Sequence, residues 1–247
     1  MQTGECPGKF TDIHSHILPG VDDGSKDMEM SIRMLHIAEK NGIGQIILTP
    51  HNKPMHKNIR PEELREAVKK LQQAAGNAGL SIELYPGSEL YYRSGILKEL
   101  ELGKACTMAD SSYVLVEFGP MDEFDYIRNG IYQIMTNGFY VILAHAERYR
   151  SVCSDIEHVY DLVNMGCYIQ LNAESIMGKA GNEAKHFTRQ LLKCRLAHFV
   201  ATDCHSDNKR SPVLADCAKY IEKKCGEEYR RRLLTENPAC ILADKDI

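Results

Sequence analysis

Short apolar runs rich in β-branched residues alternate with amphipathic helical stretches along this 247-residue chain, and that alternation most limits what it can become. A strand that returns through a helix to a neighbouring strand pairs in parallel, so the pattern predicts an α/β fold with helices covering a parallel sheet. Seven strand segments are expected, at Phe10–His16, Gln45–Pro50, Ile82–Leu90, Tyr113–Phe118, Tyr140–His145, Cys167–Asn172 and His198–His205. The first helix is expected near Ser25–Asn41, capped by Ser25 and stopped at Gly42. The second should begin at Pro61 and close at Gly79. Later helices are expected over Phe124–Asn137, Asp155–Met165, Glu183–Lys193 and Val213–Lys224. No linker, low-complexity tract or fixed-period repeat interrupts the series, so one domain spanning residues 1–247 is expected.

Composition narrows the function classes. A formal net charge of -4 argues against a nucleic-acid partner, which needs a basic stripe facing the phosphates. The basic run Arg230, Arg231 and Arg232 falls in a late helical stretch, where a solvated helix face is expected. No apolar run approaches the roughly 18 residues of a membrane span, so no membrane insertion is expected. Residues 1–10, MQTGECPGKF, lack the charged lead and apolar stretch of a signal peptide, and a cytoplasmic location is expected. Nine cysteines without a Cys-x-x-Cys pair suit reduced thiols, most of them packed in the core.

The segment DIHSHILPGVDDG places His14 and His16 two apart on a strand-like start, so both imidazoles can face one cation. The Pro19/Gly20 turn can swing Asp23 back toward them. His-x-His alone is weak, and a single His or Glu after a strand often caps a helix or faces water. Residues suited to metals nevertheless recur at the C-terminal ends of six of the seven segments: His14 with His16, His51, Glu89, Glu117, His145, and Asp203 with His205. In a parallel barrel those ends share one rim, where catalytic groups meet. Nitrogen and oxygen donors of this kind suit Mn, Fe or Zn, and they are too many for one ion.

The stretches DIHSHILPGVDDG, TPH, GSELYY, LVEF, AHAERY and ATDCHS, with VNMGCYIQLN between the last two, resemble the polymerase and histidinol phosphatase (PHP) family over nearly the whole chain. Within it they look like the bacterial manganese-dependent protein-tyrosine phosphatases of capsule and exopolysaccharide loci. The resemblance implies a distorted seven-stranded (β/α)7 TIM-like barrel and three divalent metal ions, with Mn favoured and Fe or Zn as alternatives. It implies a first metal on His14, His16, Glu89 and Asp203, with Glu89 bridging to a second completed by Glu117 and His145. A third would take Asp23, His51 and His205. The substrate implied is phosphotyrosine on the tail of a bacterial tyrosine kinase that controls polysaccharide assembly.

Arg148 in AHAERY and Arg210 in DCHSDNKRS follow these positions closely, and a guanidinium fork matches phosphoryl oxygens, so both are candidate catalytic residues. Clustered cations would activate water near neutral pH and neutralise phosphoryl charge. Loops 52–60 and 119–126 are candidates to contact substrate, with His56 read as a solvated loop residue. Cys204 and Arg210 also form a Cys-x5-Arg pattern, but HSDNK has no glycine to turn successive N–H groups onto one anion. Strand alternation would further point the Cys204 sulfur away from its neighbours Asp203 and His205. Three alternatives remain open: a small-molecule phosphatase such as one acting on histidinol phosphate, an amidohydrolase-type hydrolase, and a silent module that binds a phosphorylated tail.

Overall fold

The computed structural model describes residues 9–247; the reading of the first eight residues, Cys6 included, lies outside them. Nine strands run parallel among the described residues: β1 (Phe10–Asp12), β2 (Ile43–Leu48), β3 (His51–Asn52), β4 (Glu83–Pro86), β5 (Glu89–Tyr91), β6 (Tyr113–Glu117), β7 (Tyr140–Leu143), β8 (Tyr168–Asn172) and β9 (Phe199–Ala201). They form a three-stranded sheet, β1-β2-β4, and a six-stranded sheet, β3-β5-β6-β7-β8-β9. The seven expected segments thus differ from the observed count, because Ile82–Leu90 is interrupted and a short strand, β3, follows the expected end of Gln45–Pro50. Pro50, which has no N–H to give a ladder, separates β2 from β3. Between β4 and β5 the chain passes so close to β2 that a Cβ on Gly87 would lie 2.8 Å from Ile47 Cγ2.

The two sheets are continuous through backbone hydrogen bonds. Thr49 N–H donates to the Ser15 carbonyl at 2.9 Å and Glu89 N–H to the Pro50 carbonyl at 3.2 Å. On the other flank Asp203 N–H donates to the His14 carbonyl and His16 N–H to the Cys204 carbonyl, each at 2.9 Å. The extension of β1 therefore lies between the ends of β2 and β9, and the curled sheet brings its last strand beside its first.

Period-two alternation sorts the strand residues into two layers. Ile46, Leu48, Val114, Val116, Val141, Leu143 and Val200 pack in one large cluster with the helices. Ile47, Leu115, Ile142, Ala144, Phe199 and Ala201 form a second cluster on the opposite, inner face. At the strand starts the inner face is closed by the rings of Tyr113 and Tyr140, stacked at 4.7 Å, and by Tyr168. The helix Asn237–Ala243 adds Ile241 to this inner cluster, and the chain after it accepts hydrogen bonds from Tyr113 Oη, at the Lys245 carbonyl, and from Tyr168 Oη, at Asp246. With one end plugged, the C-terminal strand ends are left to carry polar groups.

The expected helices are observed with shifted ends: Met28–Lys40, Pro61–Asn77, Phe124–Thr136, Ile156–Asn164, Asn182–Lys193 and Ala215–Cys225. The cap of the first is Asp27, which accepts from the Met30 N–H at 2.8 Å; Ser25 instead donates to the Asp27 carbonyl. The helix Glu227–Arg231 falls in the late helical stretch expected around Arg230, whereas the short helix Ile96–Glu101, less than two full turns of apolar repeat, was not anticipated. Arg230 also departs from expectation. It is 9% exposed, pairs with Glu222 at 2.9 Å and lies over the Phe10 ring, whereas Arg231 and Arg232 are exposed. All described cysteines are free, but only Cys106, Cys167, Cys204 and Cys217 are buried, fewer than composition suggested.

His198, just before β9, accepts the Ile169 N–H on Nδ1 at 3.1 Å, and burial together with the charge of Arg232 pushes its pKa down to about 4. The unfolded chain, with an ordinary histidine near 6.5, then binds a proton that the folded protein refuses, so stability falls as pH drops through 6.5 and the loss is complete near 4. The full loss is about 3 kcal/mol at 1.36 kcal/mol per pKa unit. Urea denaturation from pH 7.5 to 4.5 should show this slope, and His198→Asn, which keeps an acceptor without the titration, should flatten it; equal slopes in both proteins would refute the assignment.

Candidate metal centre

Every candidate residue reaches the same mouth. His14 and His16 follow β1, His51 opens β3, Glu89 opens β5, Glu117 ends β6, His145 follows β7, and Asp203 and His205 follow β9. Asp23 arrives from the loop before the first long helix and is the exposed member, with a side chain 70% accessible. His145 and Asp203 are held at φ 33° and 50°, in the left-handed region, where a non-glycine residue costs about 1–3 kcal/mol. The cost is met by fixed partners: the His145 N–H donates to Gln170 Oε1 at 2.8 Å and the Asp203 N–H to the His14 carbonyl.

His14 Nε2 and His16 Nε2 stand 3.3 Å apart, and both face Asp203 Oδ1, at 3.6 and 3.4 Å, and the Glu89 carboxylate, at 3.4 and 3.5 Å. Beyond Glu89, His145 Nε2 lies 2.7 Å from Oε1 and His51 Nδ1 2.6 Å from Oε2, while Glu117 stands 3.4 Å from His51 and 3.8 Å from His145. A third cluster joins Asp23 to His51 Nε2 at 3.3 Å and His205 Nε2 at 3.6 Å, with His16 beside them. All nine residues fall into overlapping groups whose donor atoms are close enough to share an ion, and His51 belongs to two of them.

Three buried atoms at the centre, His51 Nδ1, Glu89 Oε2 and Glu117 Oε1, have no aligned hydrogen-bond partner. Polar atoms crowded at one point without aligned hydrogen bonds suit a cation, which all of them can face at once. The outer nitrogens of four rings, by contrast, are occupied: Nδ1 of His14 by Gln170 at 3.1 Å, of His16 by Asp22 at 2.7 Å, of His145 by Tyr149 at 3.3 Å and of His205 by the Asp203 carbonyl at 3.0 Å. Such outer partners fix ring orientation and leave Nε2 pointing inward.

Within the cluster, imidazoles and carboxylates shift one another's protonation. Burial works against a charged His16, yet hydrogen bonds to Asp203 and Asp22 and the charges of Asp22 and Glu89 raise it to about 10. Burial likewise opposes charge on His51, but Glu117 and Glu89 raise it to about 9. The neighbouring His205 is pushed down to about 3 by burial and by the charge on His16. Glu89 and Asp203 resist burial and stay well below the usual carboxylate range because histidines surround them.

Asp203 Oδ2 also carries both candidate arginines, Arg148 Nη2 at 2.7 Å and Arg210 Nη2 at 2.8 Å. Their side chains are 40% and 33% exposed beside the cluster. The family model described as Capsular polysaccharide synthesis, CpsB/CapC, matches residues 10–243. The chain belongs to this family. The tyrosine-protein phosphatase YwqE of Bacillus subtilis is 33% identical over 238 residues, covering 96% of this chain and 92% of that protein. A crystal structure from work on YwqE and on CpsB of Streptococcus pneumoniae, described as unique metal-dependent tyrosine phosphatases, superposes with a TM-score of 0.89 at 33% identity, covering 96% of each chain. A TatD family hydrolase from Entamoeba histolytica, at 14% identity and a TM-score of 0.58 over 96% of this chain and 99% of its own, shares the TIM-barrel-like fold alone.

For this CpsB/CapC-family chain, the Cys-x5-Arg pattern is a coincidence of spacing. Cys204 is wholly buried in the helix-facing cluster, where burial and the charge of Asp12 push its thiol far up. Sequence reading missed five residues at the site: Asp22, Tyr149, Gln170, Asn172 and Lys53. Asn172 donates to Asp203 Oδ2 at 2.8 Å and accepts from Gln170 at 2.8 Å, and Lys53 Nζ lies 3.0 Å from Glu117 Oε1. The signal for Gln170 and Asn172 was available, since they alternate with the apolar Ile169 and Leu171 on β8.

Asp22 owes its position to Gly24, whose N–H it accepts at 2.9 Å and whose missing side chain lets the loop fold onto His16. A Cβ there would meet the His16 carbonyl oxygen at 2.0 Å. Gly24→Ala is therefore expected to lower stability by about 1–3 kcal/mol, read as a reduced denaturation midpoint; an unchanged midpoint would show that the loop can move aside.

Proposed function

We propose that this chain is a metal-dependent protein-tyrosine phosphatase that hydrolyses phosphotyrosine on the tail of a bacterial tyrosine kinase governing capsule or exopolysaccharide assembly, in the cytoplasm. The single observation that carries the reading is the convergence of His14, His16, Asp23, His51, Glu89, Glu117, His145, Asp203 and His205 beside the partly exposed side chains of Arg148 and Arg210. The names of its relatives support the same chemistry. The finer reading is one domain over residues 1–247, a seven-stranded barrel when β2 with β3 and β4 with β5 count as single strands, and three divalent cations, manganese before iron or zinc.

His14, His16, Glu89 and Asp203 would hold one cation, Glu89, Glu117 and His145 a second, and Asp23, His51 and His205 a third. Bound cations of this kind acidify water and neutralise phosphoryl charge. Arg148 and Arg210 would grip phosphoryl oxygens, with Asp203 aiming both forks at the same place. A tyrosine phenol, with a pKa near 10, leaves more readily than an alkoxide and makes little demand for a general acid. Among the described residues no helix is long and apolar enough to cross a membrane, which accords with a substrate tail reaching the rim.

Metal analysis with turnover of phosphotyrosyl peptide and p-nitrophenyl phosphate tests the proposal. Activity should depend on manganese and disappear with chelator, and Cys204→Ser should retain near-normal turnover. Peptide hydrolysis by metal-free protein, or its loss in Cys204→Ser with metal supplied, would overturn it. Metal uptake should also release protons at pH 7.5, because His16 and His51, raised to about 10 and about 9, surrender theirs to the cation. Calorimetry in buffers of different ionisation enthalpy reads this release, and affinity should fall as pH is lowered; a buffer-independent enthalpy would count against ligation by these rings.

A further inference from the structure

A groove of about 1,090 Å3 opens beside Arg148, between the segment that follows β7 and the helix Asn182–Lys193. Pockets for small ligands usually span about 300–1,000 Å3, so this one exceeds what a phosphate or a lone phosphotyrosine side chain would need. One stretch of its wall is apolar, formed by Met121, Ala180, Ala184 and Phe187. Met121 is 66% exposed on the loop after β6. Arg150 also lines the groove, two residues from Arg148, and has no carboxylate partner among the described residues. Glu183, the opposing carboxylate on the helix, does not pair with it. At the floor Glu147 is 7% exposed, and one of its oxygens accepts the Asn172 N–H at 3.0 Å.

We infer that this groove binds the extended polypeptide flanking the target phosphotyrosine, with an anionic side chain against Arg150 and an apolar one against Met121 and Phe187. The inference rests on the phosphatase reading and adds to it the feature that distinguishes a protein substrate from a free phosphate ester. Arg148 joins the two regions, since it lines the groove and contacts Asp203 in the cluster. Arg150 acts as a specificity residue and does not touch the reacting atoms. A rim charge of this sort sets partner preference more than intrinsic rate.

The test uses the manganese-loaded full chain and three substrates: p-nitrophenyl phosphate and two phosphotyrosyl peptides identical except for flanking aspartates or lysines. Wild type should favour the aspartate peptide in kcat/KM by about fivefold, the upper range of an exposed charge pair. Arg150→Glu should reverse that preference, and Met121→Ser should raise KM for both peptides, while p-nitrophenyl phosphate turnover stays unchanged in each variant. Turnover of all three substrates with the same flank preference in wild type and Arg150→Glu would overturn the groove assignment and leave the phosphatase reading standing. No turnover of any substrate by the wild type would remove both.

Discussion

The pairing of Asp203 with its surroundings is the interaction on which the rest of this structure depends. This carboxylate, 2% exposed, meets His14, His16, Arg148, Arg210 and Asn172 at once. Burying a charge is expensive unless nearly every lone pair is used, and here both oxygens are engaged. The same residue is held in a left-handed conformation by a backbone bond to the strand extension that carries His14. Joining the last strand to the first and collecting the charged groups are therefore one event. A fold in which β9 slipped by a residue would lose both.

The two ends of the curled sheet divide the labour. Apolar side chains and three tyrosine rings fill the inner face at the strand starts, where a C-terminal helix seals it. Polar residues then take over the inner positions as each strand ends. Parallel strands make this possible, because every strand delivers its C-terminal end to the same side. Stability accordingly comes from the layers of apolar packing, and the mouth can carry crowded polar groups and strained backbone that would be intolerable in the core.

This division explains what was legible in the sequence. The alternation of apolar runs and helical repeats marked every long element, because burial on one face writes a period that composition cannot hide. The cluster of candidate residues was legible for the same reason, as polar residues ending apolar runs. A break at Gly87 divided one expected strand, and a short strand after Pro50 lay beyond the end of another, so the count differed. Asp27 rather than Ser25 caps the first helix, a choice set by loop geometry that the residue types alone leave open. Asp22 and Tyr149 reach His16 and His145 nearby in the chain and Lys53 reaches Glu117 across the mouth, but their residue types follow no period that separates them from ordinary loop residues. Arg230 is buried because Phe10 and Glu222 happen to meet it, a tertiary fact with no sequence period.

Of the seven strand segments expected from sequence, the one that ends in β8 without a ligand candidate is as informative as the others. β8 brings Gln170 and Asn172 to the mouth, and both are neutral amides that orient His14, His145 and Asp203. Carboxylates there would hold the histidines equally well, but they would add negative charge where a phosphate ester must enter. Were the three proposed divalent cations bound, the four carboxylates among the nine candidates and the Asp22 carboxylate beside them would not neutralise their charge, whereas the five imidazoles would add none. The loaded site would thus keep a positive surplus, deepened by Arg148 and Arg210. Replacing charged orienting groups by amides keeps that surplus directed at the substrate, and this is how the same strand-end architecture can hold its metals firmly and still attract an anion.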